Sequence, residues 1–212
     1  MINIKDGNGI LFIGDSITDV KFNKWQNKKL KGRYNYPLQC SDEIKKHTNK
    51  TKFYYKGIAS NRSYHVYDRL TADCISLKPD VIIMLIGVND AWENYVPEQY
   101  PPLMRPFEPH MREIFRRIKT ELPSSQLLVM LPFLIDTVKE KYPFHKVLDG
   151  FRKELKALAE EYGFETLDLQ KVFNESQKSI EPKLLATDGV HPTQLGHRQI
   201  AESILKITQY NS

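Results

Sequence analysis

The sequence is poor in cysteine and lacks a long apolar run, and each absence excludes a class of protein. Only Cys40 and Cys74 occur in 212 residues, without the CxxC or Cys/His spacing of a zinc or redox site, so we expect reduced structural thiols. No run of about 18 apolar residues is present, which predicts that no helix spans a membrane. An aromatic content of 11%, with 10 glycines and 12 prolines, argues against a disordered or fibrous chain.

Targeting and cofactor motifs are also missing. The first residues do not form a charged segment followed by an apolar stretch and a cleavage site, so we predict no secretory signal and a cytoplasmic protein. The histidines outside the motifs described below are scattered and form no HExxH motif, and no glycine-rich phosphate loop occurs. The sequence therefore predicts neither a metal nor a cofactor.

The net charge of +5 is concentrated in one part of the chain. Residues 21–56 contain eleven basic residues and two acidic ones, a net +9, which leaves −4 for the remainder. Three interpretations of the basic segment Lys21 to Arg33 stay open: a solvated face, a nucleic-acid contact, or a surface that attracts an anionic substrate. No DNA- or RNA-binding motif accompanies it, so we expect no nucleic-acid partner.

Short apolar runs alternate with longer amphipathic stretches, which predicts an α/β fold. The runs at 81–86 and 126–131 are continuously apolar, as expected of parallel strands that are covered on both faces. Strands are predicted at 10–13, 52–56, 81–86, 126–131 and 164–167, and helices at 36–47, 63–76, 108–120, 145–162 and 193–207. We therefore expect one domain, residues 1–212, built as a three-layer α/β/α sandwich around a five-stranded parallel sheet.

Polar residues and glycines follow the predicted strands, where ligands bind in parallel sheets. Ser16 follows the first strand, Gly57 the second and Asn89 the third, while Asp188 and His191 lie together near the end of the chain. Acyl transfer by serine needs a hydroxyl, a base, a carboxylate that orients the base, and donors for an oxyanion. Each residue alone is more typical of a turn or a helix cap, but their coincidence predicts a serine nucleophile.

These residues lie in four blocks that resemble the SGNH hydrolases, or GDSL-type esterases. The blocks are IGDSITD at 13–19, KGIA at 56–59, IGVND at 86–90 and DGVHP at 188–192. The resemblance implies a flavodoxin-like fold, with Ser16 as nucleophile, His191 as base and Asp188 as its orienting carboxylate. It also implies an oxyanion hole formed by Ser16, Gly57 and Asn89.

The chain departs from the family pattern at two positions of the second block. Lys56 stands where asparagine is usual, and Ser60 where glycine is frequent, so the backbone near Gly57 is expected to differ. Further candidates for the substrate pocket are Asp15, Asn61, Arg62, Trp92, Phe133 and Val190. Asp15 is also a candidate for bracing the loop, and packing beneath a loop is an equal alternative for Trp92 and Phe133.

The resemblance extends to a branch that contains small carbohydrate acetylesterases. It implies a metal-independent serine esterase that removes a short acyl group, most simply acetyl from a sugar hydroxyl, through an acyl-enzyme. A lysophospholipase or acyl thioesterase of the same family is the alternative, and a binding protein on the same fold is a third. The expected partner is a small ester, without membrane insertion, and the resemblance suggests a homo-oligomer.

Overall fold

The computed structural model describes residues 1–21, 35–96 and 106–211. Five of its strands form one parallel sheet in the order β3-β2-β4-β5-β6, and two further strands form a separate parallel pair. The strands are β1 Ile2–Lys5, β2 Gly9–Gly14, β3 Lys52–Gly57, β4 Val81–Leu85, β5 Gln126–Leu131, β6 Glu165–Asp168 and β7 Thr208–Asn211. The predicted five-stranded parallel sheet is confirmed, with each strand found within two residues of its predicted bounds.

Helices cover both faces of the sheet. They are α1 Tyr36–Ile44, α2 Ser63–Asp73, α3 Val88–Tyr95, α4 Phe107–Glu121, α5 Phe144–Glu161, α6 Leu169–Ser176, α7 Pro182–Leu185 and α8 Gln194–Lys206. Single 3₁₀ turns occur at Ile75–Leu77 and Lys139–Lys141. In the part of the chain that the structure describes, no helix is both long and apolar enough to cross a membrane.

Strand β4 shows how the three layers arise, because all five of its residues are buried. Alternate side chains of a strand point to opposite faces. Ile83 accordingly packs into a core cluster with α1 and α8, while Ile82 and Met84 pack into a second cluster with α2 and α4. The continuous apolar run in the sequence thus reflects a strand covered on both sides, and the three-layer sandwich is confirmed.

The small β1–β7 sheet was not predicted from the sequence. Each of its strands has four residues, and Ile2 pairs with Thr208 and Lys5 with Asn211 across almost the whole chain. Neither strand has an apolar run long enough to stand out locally. Helices α3, α6 and α7 were not predicted either. They span eight, eight and four residues, too few to show a clear apolar pattern in the sequence.

The register of the central strands brings the predicted functional segments together. Gly14 at the end of β2 pairs with Gly57 at the end of β3 and with Leu85 at the end of β4. The residues that follow these three strands therefore emerge side by side at the carboxyl edge of the sheet. This register places Ser16, Gly57 and Asn89 in one neighbourhood.

Candidate active site

Ser16, His191 and Asp188 form a hydrogen-bonded chain at the carboxyl edge of the sheet. The Oγ atom of Ser16 lies 3.0 Å from Nε2 of His191, and Nδ1 of His191 lies 2.7 Å from Oδ2 of Asp188. The other carboxylate oxygen, Oδ1, accepts the backbone N–H groups of Val190 and of His191. The structure thus joins a hydroxyl, an imidazole and a carboxylate that are far apart in the sequence.

The environment of Asp188 keeps its carboxyl group ionised. Partial burial acts to raise its pKa, but the side-chain and backbone hydrogen bonds from His191, together with that of Val190, hold the pKa well below its ordinary value. The tight turn depends on Gly189, whose φ of 83° lies in the left-handed region. An ionised Asp188 that accepts from Nδ1 leaves Nε2 of the imidazole directed at Ser16.

The turn that carries Ser16 is built on Asp15. The backbone carbonyl of Asp15 accepts the N–H groups of Thr18 and Asp19, and its side-chain Oδ1 accepts the N–H of Ile17 at 3.0 Å. Asp15 is fully buried, and burial raises its pKa to about 7. Its side chain therefore holds the turn from within instead of lining the cavity described below.

Gly57 allows β3 to approach this turn. A Cβ atom at residue 57 would lie 2.3 Å from the backbone nitrogen of Asp19 and from the carbonyl carbon of Thr18, a distance that no side chain tolerates. Nearby, Ser60 has a φ of 62°, a conformation that favours glycine. Lys56 forms an ion pair of 2.7 Å with Asp73 of α2.

A second network ties the segment after β3 to the start of α3. The side-chain amide of Asn89 donates to the backbone carbonyl of Asn61 at 3.0 Å. Next to it, the buried carboxylate of Asp90 accepts both the backbone N–H and the hydroxyl of Ser63, at 3.0 and 2.6 Å. Burial raises the pKa of Asp90 to about 6, although the hydrogen bonds from Ser63 oppose this shift. We name Asn61, Ser63, Asn89 and Asp90 the brace.

Arginines extend the brace. Arg69 donates from Nε to Asn61 Oδ1 at 2.9 Å and from its guanidinium to the carbonyl of Gly14 at 3.0 Å. Arg62 forms an ion pair with Glu93 of α3. Sequence reasoning did not identify Ser63 or Arg69, because their types and positions are ordinary for the first turns of a helix. Asn61 and Arg62, which were predicted near the pocket, act in these contacts between α2 and α3.

A cavity of about 150 Å³ opens beside the hydrogen-bonded chain. Its lining residues are Val88, Asn89, Trp92, Lys141, Asp188, Val190 and His191. Of the predicted pocket residues, Trp92 and Val190 line this cavity. Phe133 lies in the core instead, where it is 1% exposed and its ring centroid is 4.3 Å from that of Phe173. Lys141 was not singled out in the sequence, since it lies in a turn between β5 and α5 that no motif marks.

A second histidine close to His191, His197, is buried in the core. His197 on α8 is completely buried, and its Nδ1 accepts the backbone N–H of Tyr36 at 3.3 Å. Burial, aided by the nearby His191, lowers its pKa to about 3, so the ring is neutral. His197 therefore holds α1 against α8.

The sequence predicted no metal site and left three interpretations of the basic segment open. Within residues 1–21, 35–96 and 106–211, no group of three or more His, Cys, Asp or Glu side chains could hold a metal ion. The basic segment Lys21 to Arg33 lies, apart from Lys21, outside the described residues. Its three interpretations therefore remain predictions from the sequence.

A parallel sheet that carries serine, histidine and aspartate at its carboxyl edge is an arrangement suited to ester hydrolysis. Comparison with known proteins agrees with this class. The model of the GDSL-like lipase/acylhydrolase family matches residues 12–199, and the chain belongs to that family. It is a GDSL-type carboxylic ester hydrolase, as the four sequence blocks predicted.

Similar proteins match nearly the whole chain. An acetylxylan esterase of Geobacillus stearothermophilus is 29% identical over 214 residues, which cover 97% of this chain and 95% of the relative. The crystal structure of this esterase, Axe2, matches with a TM-score of 0.76 over 96% of this chain and 94% of its own. A solved protein of Parabacteroides merdae, 29% identical, matches with a TM-score of 0.80 over 97% of both chains.

Three further Axe2 structures carry alanine in place of one serine, one aspartate and one histidine. Each is described as a catalytic mutant, and the aspartate precedes the histidine by three positions. The same three residue types, with the same spacing of aspartate and histidine, form the hydrogen-bonded chain in this structure.

Proposed function

We propose that this esterase removes acetyl groups from carbohydrate hydroxyls, with Ser16 as nucleophile, His191 as general base and Asp188 as the carboxylate that orients it. The observation that carries the proposal is the hydrogen-bonded chain of these three side chains beside a small cavity. The acetylxylan esterase activity of a relative that covers nearly the whole chain supports a carbohydrate ester as the substrate.

In the proposed mechanism these three side chains act together in both halves of acyl transfer. Oγ of Ser16 attacks the ester carbonyl carbon while its proton passes to Nε2 of His191, and the ionised Asp188 stabilises the resulting imidazolium. Collapse of the tetrahedral intermediate breaks the bond to the alcohol oxygen, which takes the proton from His191. Water then attacks the acetyl-Ser16 ester in the same way and releases acetate.

Oxyanion stabilisation is assigned to the backbone N–H groups of Ser16 and Gly57 and to the side-chain amide of Asn89. An asparagine amide carries two N–H donors. One of those on Asn89 is directed to the carbonyl of Asn61, which fixes the amide and leaves its second N–H for the substrate oxygen. Donors that are held in place before the reaction stabilise developing charge most effectively.

The small cavity beside His191 supports a small ester as the substrate. An acetylated sugar residue can enter this cavity of about 150 Å³, which opens to solvent. Trp92 supplies an apolar wall on which a sugar ring can pack.

The decisive experiment measures acetate release from O-acetylated xylo-oligosaccharides by the wild type and by Ser16→Ala. Loss of the nucleophile is expected to lower kcat by at least about 10⁴-fold. Ser124→Ala, in an exposed turn before β5, is the matched control and should keep full activity. Retained activity in Ser16→Ala would refute the mechanism.

An acyl-length series of 4-nitrophenyl esters, from acetate to palmitate, tests the acyl class on the same protein. We expect kcat/KM to decrease beyond propionate or butyrate. A maximum at long chains would support a lysophospholipase, and a marked preference for thioesters of the same acyl group would support a thioesterase.

A further inference from the structure

Lys141 places a positive charge in the wall of the active-site cavity. It belongs to the 3₁₀ turn Lys139–Lys141, and its side chain lines the cavity together with Asn89, Trp92 and His191. Its ammonium nitrogen donates to the backbone carbonyl of Asp188 at 2.6 Å and lies 5.6 Å from the centre of the Trp92 ring. These two contacts hold the charge beside the reacting groups.

The charge of Lys141 is not neutralised by the neighbouring carboxylate. Asp188 meets Lys141 through its backbone carbonyl, while both oxygens of its carboxylate accept N–H groups of Val190 and His191. Among the described residues, no aspartate or glutamate forms an ion pair with Lys141, in contrast to Lys56, which pairs with Asp73. An ammonium group has three N–H donors, and only one of them is used by Asp188.

The position of Lys141 indicates which part of the substrate it meets. His191 passes a proton to the departing alcohol, so the alcohol lies on the His191 side of the ester carbonyl. Lys141, which is bound to Asp188 in the loop that carries His191, lies on that side as well. Trp92 lines the same cavity next to Lys141 and offers an apolar surface to the same group.

We propose that Lys141 forms a carboxylate-binding subsite for the alcohol part of the substrate, so that the enzyme prefers acetyl esters of acidic sugars, such as uronic acid residues, to those of neutral sugars. The inference rests on the proposed function, since it assumes the Ser16 mechanism. A partly buried cation that lacks a carboxylate partner gains most from a ligand that supplies one. The half-buried setting of Lys141 also shields such a pair from salt better than an exposed surface would.

A matched pair of esters isolates the charge: 4-acetoxybenzoate and 4-acetoxybenzamide, which share the acetyl group and the phenol ring. After division by the rate of alkaline hydrolysis of each ester, the wild type is expected to favour the anion in kcat/KM. Lys141→Met should lower kcat/KM for the anion about tenfold more than for the amide, a difference of about 1.4 kcal/mol. Lys141→Arg keeps the charge and should keep most of the preference.

Lys139→Met provides the control, because this exposed lysine lies on the same turn but does not line the cavity. It should leave the ratio of the two esters unchanged. Equal losses for both esters in Lys141→Met would mean that Lys141 only supports the Asp188 loop, and no anion preference in the wild type would likewise overturn the inference. Failure of the proposed function is separate: the wild type would then hydrolyse neither ester, or Ser16→Ala would hydrolyse both.

Discussion

The Asp188–His191 loop and the brace both bring carboxylates to the same active site, but in opposite electrostatic settings. Asp188 is partly exposed, and its hydrogen bonds hold its pKa well below the ordinary value. Asp90 is 2% exposed, and burial raises its pKa to about 6. The comparison shows that the ionised carboxylate contacts the imidazole of His191, whereas the buried one joins the start of α2 to α3.

Replacing the ionised carboxylate should have the largest effect. Asp188→Asn is expected to lower kcat by about 10⁴-fold, because an amide would favour the wrong tautomer of His191. The measurement is kcat on an acetyl ester, with Asp136→Asn as control, since Asp136 pairs with a different histidine, His145, outside the cavity. A loss smaller than tenfold would remove Asp188 from the mechanism.

Replacing the bracing carboxylate should cost less. Asp90→Asn retains one acceptor for Ser63 but weakens the link, so we expect kcat to decrease roughly 10- to 100-fold through displacement of Asn89, with little change in KM. Ser63→Ala should produce part of the same loss, and the double variant should lose less than the product of the two. Independent, multiplying effects would contradict a brace that acts as a unit.

The smallest effect concerns stability at Asp15. Burial raises the pKa of Asp15 to about 7, so the folded state binds its proton more tightly than the unfolded state does. The stabilisation by this proton is complete below pH 4 and is lost as pH rises through 7. Asp15→Asn should therefore gain stability relative to the wild type between pH 5 and pH 8 in urea unfolding.

Asp6→Asn should show the opposite trend with pH and serves as the control. Backbone N–H groups of Lys50 and Asn49 lower the pKa of Asp6, so its contribution to stability is present at neutral pH and is lost in acid. A difference between Asp15→Asn and the wild type that does not change with pH would contradict the buried-carboxyl explanation.

Local patterns predicted the central sheet and the placement of Ser16, Gly57 and Asn89, because strand ends in a parallel sheet meet at one edge. Contacts outside the four blocks that depend on packing between distant segments could not be predicted. Lys141 reaches the site only because its turn folds against Asp188, 47 positions later, and no periodicity marks that approach. Phe133 follows β5 directly, yet its ring turns into the core against α6 instead of towards the cavity.

The tight contact at Gly57 bears on how the substrate range of this enzyme can evolve. Because the backbone of Thr18 and Asp19 occupies the space of any side chain at position 57, only glycine fits there. The cavity wall differs, because Trp92 and Lys141 border an open cavity and belong to no strand. A substitution there changes what the cavity accommodates, whereas a side chain at residue 57 would displace the turn after β2.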